Sequence, residues 1–125
     1  MPMTFRTRKM IMPVHLNAAG TLFGGQALAW IDEEAAIFAS CQLGSSRLVT
    51  KFMSAVDFRA PAHLGDLIEI GTELVAFGRT SVTVSCSLRN KTTKDEIVHV
   101  ETIVFVLLDE EGQPKVHGVS TETTG

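Results

Sequence analysis

Between Thr80 and Asn90 apolar and polar side chains alternate. Val82, Val84, Cys86 and Leu88 fall on one face, and Ser81, Thr83, Ser85, Ser87 and Arg89 on the other. A period of two marks a half-buried antiparallel strand. Leu67 to Phe77 follows the same rule, setting Ile68, Ile70, Leu74 and Ala76 against Glu69, Gly71 and Glu73, and the short Gly78-Arg79 join makes the pair a hairpin. Ile97 to Leu108 is apolar on both faces apart from His99, Glu101 and Thr102, which predicts a central strand or one covered by a partner subunit. Strand-like periodicity also starts at Leu48, and Phe5 to Met12 predicts a short first strand stopped by Pro13.

One segment breaks this rhythm. Gln26 to Leu43 holds neither Gly nor Pro and is rich in Ala, Leu and Ile, which predicts a helix of about 18 residues, ~27 Å long, stopped at Gly44. Leu28, Ile31 and Ala35 lie on one side and Trp30, Ile37 and Phe38 on others, so the helix is expected to be enclosed by protein. The order is strand, long helix, then four antiparallel strands. That order predicts an α+β domain spanning residues 1–125, a curved antiparallel sheet of about five strands wrapped around one central helix. An outer face carrying Ile103, Phe105 and Leu107 would need cover, so self-association is expected. The polar tail after Asp109 is expected to fray.

Composition narrows the function. The 125 residues are 45% hydrophobic and 20% charged, enough to bury a core without a disulfide or metal staple. Cys41 and Cys86 are accordingly read as small buried hydrophobes. A net charge of -3 disfavours a nucleic-acid partner, although local basic residues could still grip a phosphorylated small molecule. Met1 to Arg8 lacks the apolar core of a signal peptide, and no stretch approaches the ~20 apolar residues of a membrane span, so a cytoplasmic protein without membrane association is expected. His15, His63, His99 and His117 are scattered without metal-ligand spacing, and no Gly-x-Ser-x-Gly elbow is present. No metal site is expected.

Two features carry candidate chemistry. Asp32-Glu33-Glu34 sits mid-helix, and successive helical residues turn by ~100°, so the three cannot all reach solvent if the helix is enclosed. A buried carboxylate marks a structural ion pair or a catalytic acid or base, and the plain alternative is a solvated face. Asn17 and the pair Gly24-Gly25 precede the helix. Unpaired N–H groups at a helix N-terminus, open because glycine has no side chain, suit a carbonyl oxygen gaining negative charge. Taken alone, a Gly-Gly pair is only a tight turn and an Asn only a cap.

Asn17-Ala18-Ala19-Gly20-Thr21-Leu22-Phe23-Gly24-Gly25 followed by Ile31-Asp32 resembles the hot-dog-fold acyl-CoA thioesterases, among them the short bacterial acyl-CoA hydrolases related to brain acyl-CoA hydrolase. Val49-Thr50, Phe58-Arg59-Ala60-Pro61, Gly65-Asp66 and Gly78-Arg79-Thr80-Ser81-Val82 resemble the family's later signatures in the same order, so the likeness covers nearly the whole chain. It implies that Asp32 is a general base or nucleophile, that Asn17 positions the thioester or the attacking water, and that Gly24 and Gly25 donate N–H groups to the thioester oxygen. Thr50, Arg59, Arg79, Thr80 and Ser81 match substrate or coenzyme A contacts. No cofactor is implied. The resemblance further implies a homo-oligomer, a dimer at least and a trimer of dimers in its fullest form, with Asp32 and Asn17 drawn from different subunits. The chain departs from the pattern in lacking tyrosine, in a short tail, and in Glu33-Glu34 where small residues usually follow the Asp.

Two rival readings share the fold. A hydratase or dehydratase would resemble an Asp with a His a few residues on, and none follows Asp32. A noncatalytic acyl-CoA sensor would need no carboxylate in an apolar slot.

Overall fold

The computed structural model describes residues 3–120. The elements follow the expected order: β1 (Thr4–Met10), a 3-10 turn (Pro13–His15), α1 (Gly24–Leu43), β2 (Leu48–Phe58), β3 (Leu67–Phe77), β4 (Ser81–Asn90) and β5 (Glu96–Leu107). The strands form one antiparallel sheet in the order β1-β3-β4-β5-β2, curved around α1 in the hot-dog arrangement. Ala27, Trp30, Ile31, Ala35 and Ala39 are the buried stripe of α1. Three are alanines, whose short side chains let the helix lie close against Val82, Val84, Cys86 and Leu88 of β4 and Val98, Val100, Ile103 and Phe105 of β5. Gly44, in the left-handed region at φ 69°, caps the helix by donating its N–H to the Ser40 carbonyl, where any side chain would be strained.

Five expectations are corrected. The helix is not enclosed: Ala29, Glu33, Ile37 and Cys41, each four residues from the last, form an exposed stripe opposite the buried one. Cys41 is therefore exposed, and only Cys86 is the buried hydrophobe foreseen. Burial, with Glu34 nearby, pushes the Cys86 thiol up to about 12, which leaves it inert.

The apolar look of β5 comes from a bulge. Val100 pairs with Cys86 but Ile103 pairs with Val84, so β5 has one residue more than β4 between those pairs. Inward positions are Val98 and Val100 before the bulge and Ile103 and Phe105 after it, switching from even to odd. Ile103, Phe105 and Leu107 are thus core, not an outer face seeking cover. A register shift between Leu74 and Ala76 likewise leaves Ala76 exposed and turns Phe77 against the core.

The tail is ordered as far as it is described. Leu108 bridges to Pro114, Asp109 accepts N–H bonds from Glu111 and Gln113 on its side chain, and the Lys115 N–H reaches the Leu107 carbonyl. The part of the tail beyond Ser120 lies outside the described residues.

Candidate active site

The loop entering α1 is shaped by Asn17. Its Oδ1 accepts the N–H groups of Ala19 (2.9 Å) and Thr21 (3.0 Å), and its Nδ2 donates to Thr21 Oγ1 (3.1 Å). One amide hydrogen remains uncommitted. Leu22 donates to the Ala62 carbonyl and Phe23 to that of His15, which ties the loop to its neighbours. The helix begins at Gly24, two residues before Gln26. Its N-cap, Phe23, has no side-chain acceptor to offer. Among the described residues the N–H groups of Gly24 and Gly25 have no acceptor, while Gln26 and Ala27 both donate to the Phe23 carbonyl. Two aromatic rings close on the pair. A Cβ at Gly24 would stand 3.2 Å from the Phe58 ring and one at Gly25 2.8 Å from the Phe23 ring. Glycine is what admits both the rings and an approaching ligand. The result is a pair of free donors at the positive end of a 20-residue helix, flanked by apolar walls.

The three carboxylates of α1 go separate ways. Thr50 on β2 donates its hydroxyl to Asp32 Oδ1 at 2.8 Å, leaving Oδ2 of the half-buried side chain free to take a proton. Glu33 is exposed, and Glu34 accepts from Thr7 Oγ1 at 2.7 Å. None is fully buried, because Glu33 lies on the exposed stripe of the helix and Asp32 and Glu34 flank it.

Asp32 lies seven residues beyond Gly25. At 1.5 Å per residue the two are about 10 Å apart along the axis. A base and oxyanion donors acting on one carbonyl must both lie within about 3 Å of the reacting group. Within one chain, Asp32 and the Gly24-Gly25 donors are too far apart to do so.

The other candidate residues divide. Arg59 follows β2, and its guanidinium is committed to Asp57 Oδ2 (2.7 Å) and to Glu96, whose other oxygen accepts from Ser87. These carboxylates raise the Arg59 pKa, and a phosphate there would meet two negative charges. Arg79, at the tip of the β3–β4 hairpin, is exposed and makes no ion pair among the described residues. Thr80 accepts the Leu107 N–H on its carbonyl. The Gly78 N–H donates to the Ser81 carbonyl, and a Cβ at Gly78 would displace the Ser81 hydroxyl. His117, read from sequence as one of four unrelated histidines, lies against the same turn. Its Nε2 is 2.9 Å from the Ser81 carbonyl oxygen. No sequence pattern points to it, because its polar partners are backbone groups and Ser81 is 36 residues away.

Comparison with known proteins places this arrangement. The thioesterase superfamily matches residues 19–97. An uncharacterized acyl-CoA thioester hydrolase of Buchnera aphidicola is 31% identical over 86% of this chain and 84% of its own length. A hexameric acyl-CoA thioesterase solved in its apo form is 34% identical, with a TM-score of 0.77 over 91% of this chain and 74% of that one. The acyl-CoA hydrolase of Staphylococcus aureus, solved with butyryl coenzyme A, coenzyme A and coenzyme A disulfide, is 32% identical, with a TM-score of 0.80 over 91% of this chain and 68% of that one. The same enzyme has been solved with an aspartate and with an asparagine replaced by alanine. With its family match and its fold shared with such relatives, the chain belongs to the hot-dog-fold thioesterase superfamily, related to bacterial acyl-CoA hydrolases of the YciA type.

Proposed function

We propose that this chain hydrolyses acyl-CoA thioesters to the free acid and coenzyme A, at sites each built from two copies. The carrying observation is the free Gly24 and Gly25 N–H pair between Phe23 and Phe58, in a chain whose Thr50-held carboxylate stands too far along the helix to share a carbonyl with it. A second copy removes the conflict by bringing its Asp32 to the first copy's helix entrance. Asp32 takes a proton from water as the oxygen adds to the thioester carbon. The two glycine N–H groups hold the carbonyl oxygen as it becomes negative, the C–S bond breaks, and the thiolate leaves and is protonated. Asn17 shapes the entrance loop and turns its spare amide hydrogen to substrate or water. Arg79, with Thr80 and Ser81, receives the phosphates of coenzyme A, whereas Arg59 is a sheet-end ion pair. The positions replaced in the Staphylococcus aureus enzyme are fifteen residues apart in that chain, the spacing of Asn17 and Asp32 here, which supports the pairing of roles. A dimer is the least assembly this requires, and the hexameric relative supports a trimer of dimers.

The test is release of free thiol from acyl-CoA esters of short, long and aromatic chains. Wild type should turn over, and Asp32→Asn should lose on the order of a hundredfold to ten-thousandfold in kcat. Binding of acyl-CoA with no cleavage of any ester would make the protein a sensor and remove the catalytic role from Asp32.

A further inference from the structure

We infer that His117 is a positioning residue for the nucleotide end of the substrate, a latch by which the C-terminal segment fixes the Gly78–Ser81 turn and with it Arg79. The inference rests on the thioesterase reading and adds to it a residue that no candidate motif contains.

The ring has no polar atom left to offer a ligand. Its Nδ1 accepts the Val119 N–H at 2.9 Å, so the proton resides on Nε2, which donates to the Ser81 carbonyl at 2.9 Å. The His117 backbone N–H donates to the Arg79 carbonyl at 3.2 Å. One residue therefore holds two carbonyls of the turn, at Arg79 and at Ser81. The ring face is settled by Phe77, with centroids 5.6 Å apart and planes tilted by 59°. The Ser81 carbonyl also accepts from the Gly78 N–H, so its two lone pairs are both used and the turn closes from inside and outside at once.

The latch lies where the phosphates are expected. Val75, Phe77, Arg79, Val116, His117 and Val119 line a surface groove of about 680 Å³, whose floor is the hairpin and whose far wall is the tail. Among the described residues Arg79 is the only formally charged one of that lining. A flexible arginine at a hairpin tip loses conformational freedom each time it binds a phosphate, and fixing its backbone beforehand removes part of that cost. His117 thus acts through Arg79 and touches no reacting atom. Its removal should weaken binding of the nucleotide end and leave the chemical step intact.

The full-length His117→Ala variant is assayed beside wild type on an acyl-CoA and on the matching acyl-pantetheine, which carries the same thioester without the nucleotide. The expected result is a KM for acyl-CoA raised about tenfold with kcat within about twofold, and unchanged kinetics on acyl-pantetheine. His117→Gln, which keeps an N–H donor near Ser81, should recover part of the loss. In an Arg79→Ala background the His117 change should add almost nothing, as expected of two residues acting through one contact. Equal losses on both substrates, or no change on either, would overturn the proposal. So would full additivity with Arg79→Ala. Should His117→Ala not fold, the Gln variant and the double-mutant comparison built on it decide in the same way. A wild type that neither cleaves acyl-CoA nor binds coenzyme A defeats the thioesterase reading itself. A wild type that does both, with His117 variants indifferent, defeats only the latch.

Discussion

The two edges of the sheet are built differently. β1 is sealed against the rest of the molecule: Thr7 bonds Glu34, Lys9 sits 5.4 Å over the Trp30 ring, and Phe5 lies between Gly71 and the Arg89 guanidinium. Behind it, buried Glu69 is held by Arg89 at 2.7 Å and Lys94 at 3.2 Å. β2 is open. Among the described residues both edge strands lack an outer strand partner, but along β2 the apolar Val49, Phe52, Val56 and Phe58 are exposed. Unpaired edges with apolar side chains are normally blunted by charge or covered. The side chains of one edge strand are engaged within the chain, and the other, which carries Thr50 and ends at Phe58 beside the glycine donors, is where the proposed second copy would dock.

The sharpest way to break this comparison is a charge on the open edge. Phe52→Lys should yield monomers by light scattering and abolish nearly all thiol release, since both composite sites vanish. Arg6→Glu on β1 should change neither. A second copy pairing elsewhere would leave the Phe52 variant assembled and active.

Next in size is Gly24→Pro. Phe23 already has the extended backbone that precedes proline, and proline is tolerated in the first helical turn, so the helix start survives while one donor is lost and the Phe58 ring gives way slightly to the added carbon. A fall in kcat on the order of a hundredfold, with an unchanged far-ultraviolet circular dichroism spectrum, is expected. Thr50→Val, which removes only the bond orienting Asp32, should cost about tenfold in kcat. A tenfold rise in KM alone would make Thr50 a substrate contact instead.

The smallest effect tests the closed edge. Burial would raise the Glu69 carboxyl, but its bonds to Arg89 and Lys94 outweigh this and hold it below the ordinary range. A lowered folded value contributes stability above the unfolded pKa, and this is lost as pH falls through the folded one. Glu69→Gln should therefore be less stable than wild type at neutral pH, and the gap should narrow below about pH 4 in urea titrations followed by fluorescence. A gap constant with pH would show that the ion pairs contribute nothing.

Much of this was legible in the residue order because periodicity reports burial. The alternation of β4 and the uninterrupted run of α1 placed the sheet, the helix and hence Asp32, and the motif placed Asn17 and the glycines. What was not legible depends on contacts between distant residues. A bulge in β5 is one extra residue that no residue type announces, so a strand that changes its inward parity reads as apolar on both sides. Arg59 and Arg79 look alike in sequence, and Asp57 together with Glu96, 37 residues from Arg59, makes one spent and leaves the other free. His117 was hidden for the same reason, since its bonds are to backbone. The exposed helix stripe is hidden in the sequence because Ile37 and Cys41 read as core, whereas an interface between copies asks for the same composition.

The stretch of helix between Gly25 and Asp32 has a genetic consequence. In the proposed assembly each chain contributes a carboxylate to one site and glycine donors to the other. A chain with Asp32→Asn and a chain with Gly24→Pro should each be severely impaired alone, yet when unfolded together and reassembled they should form mixed pairs in which one site inherits both intact halves. Two dead alleles would complement each other, and activity on mixing would count the pairs.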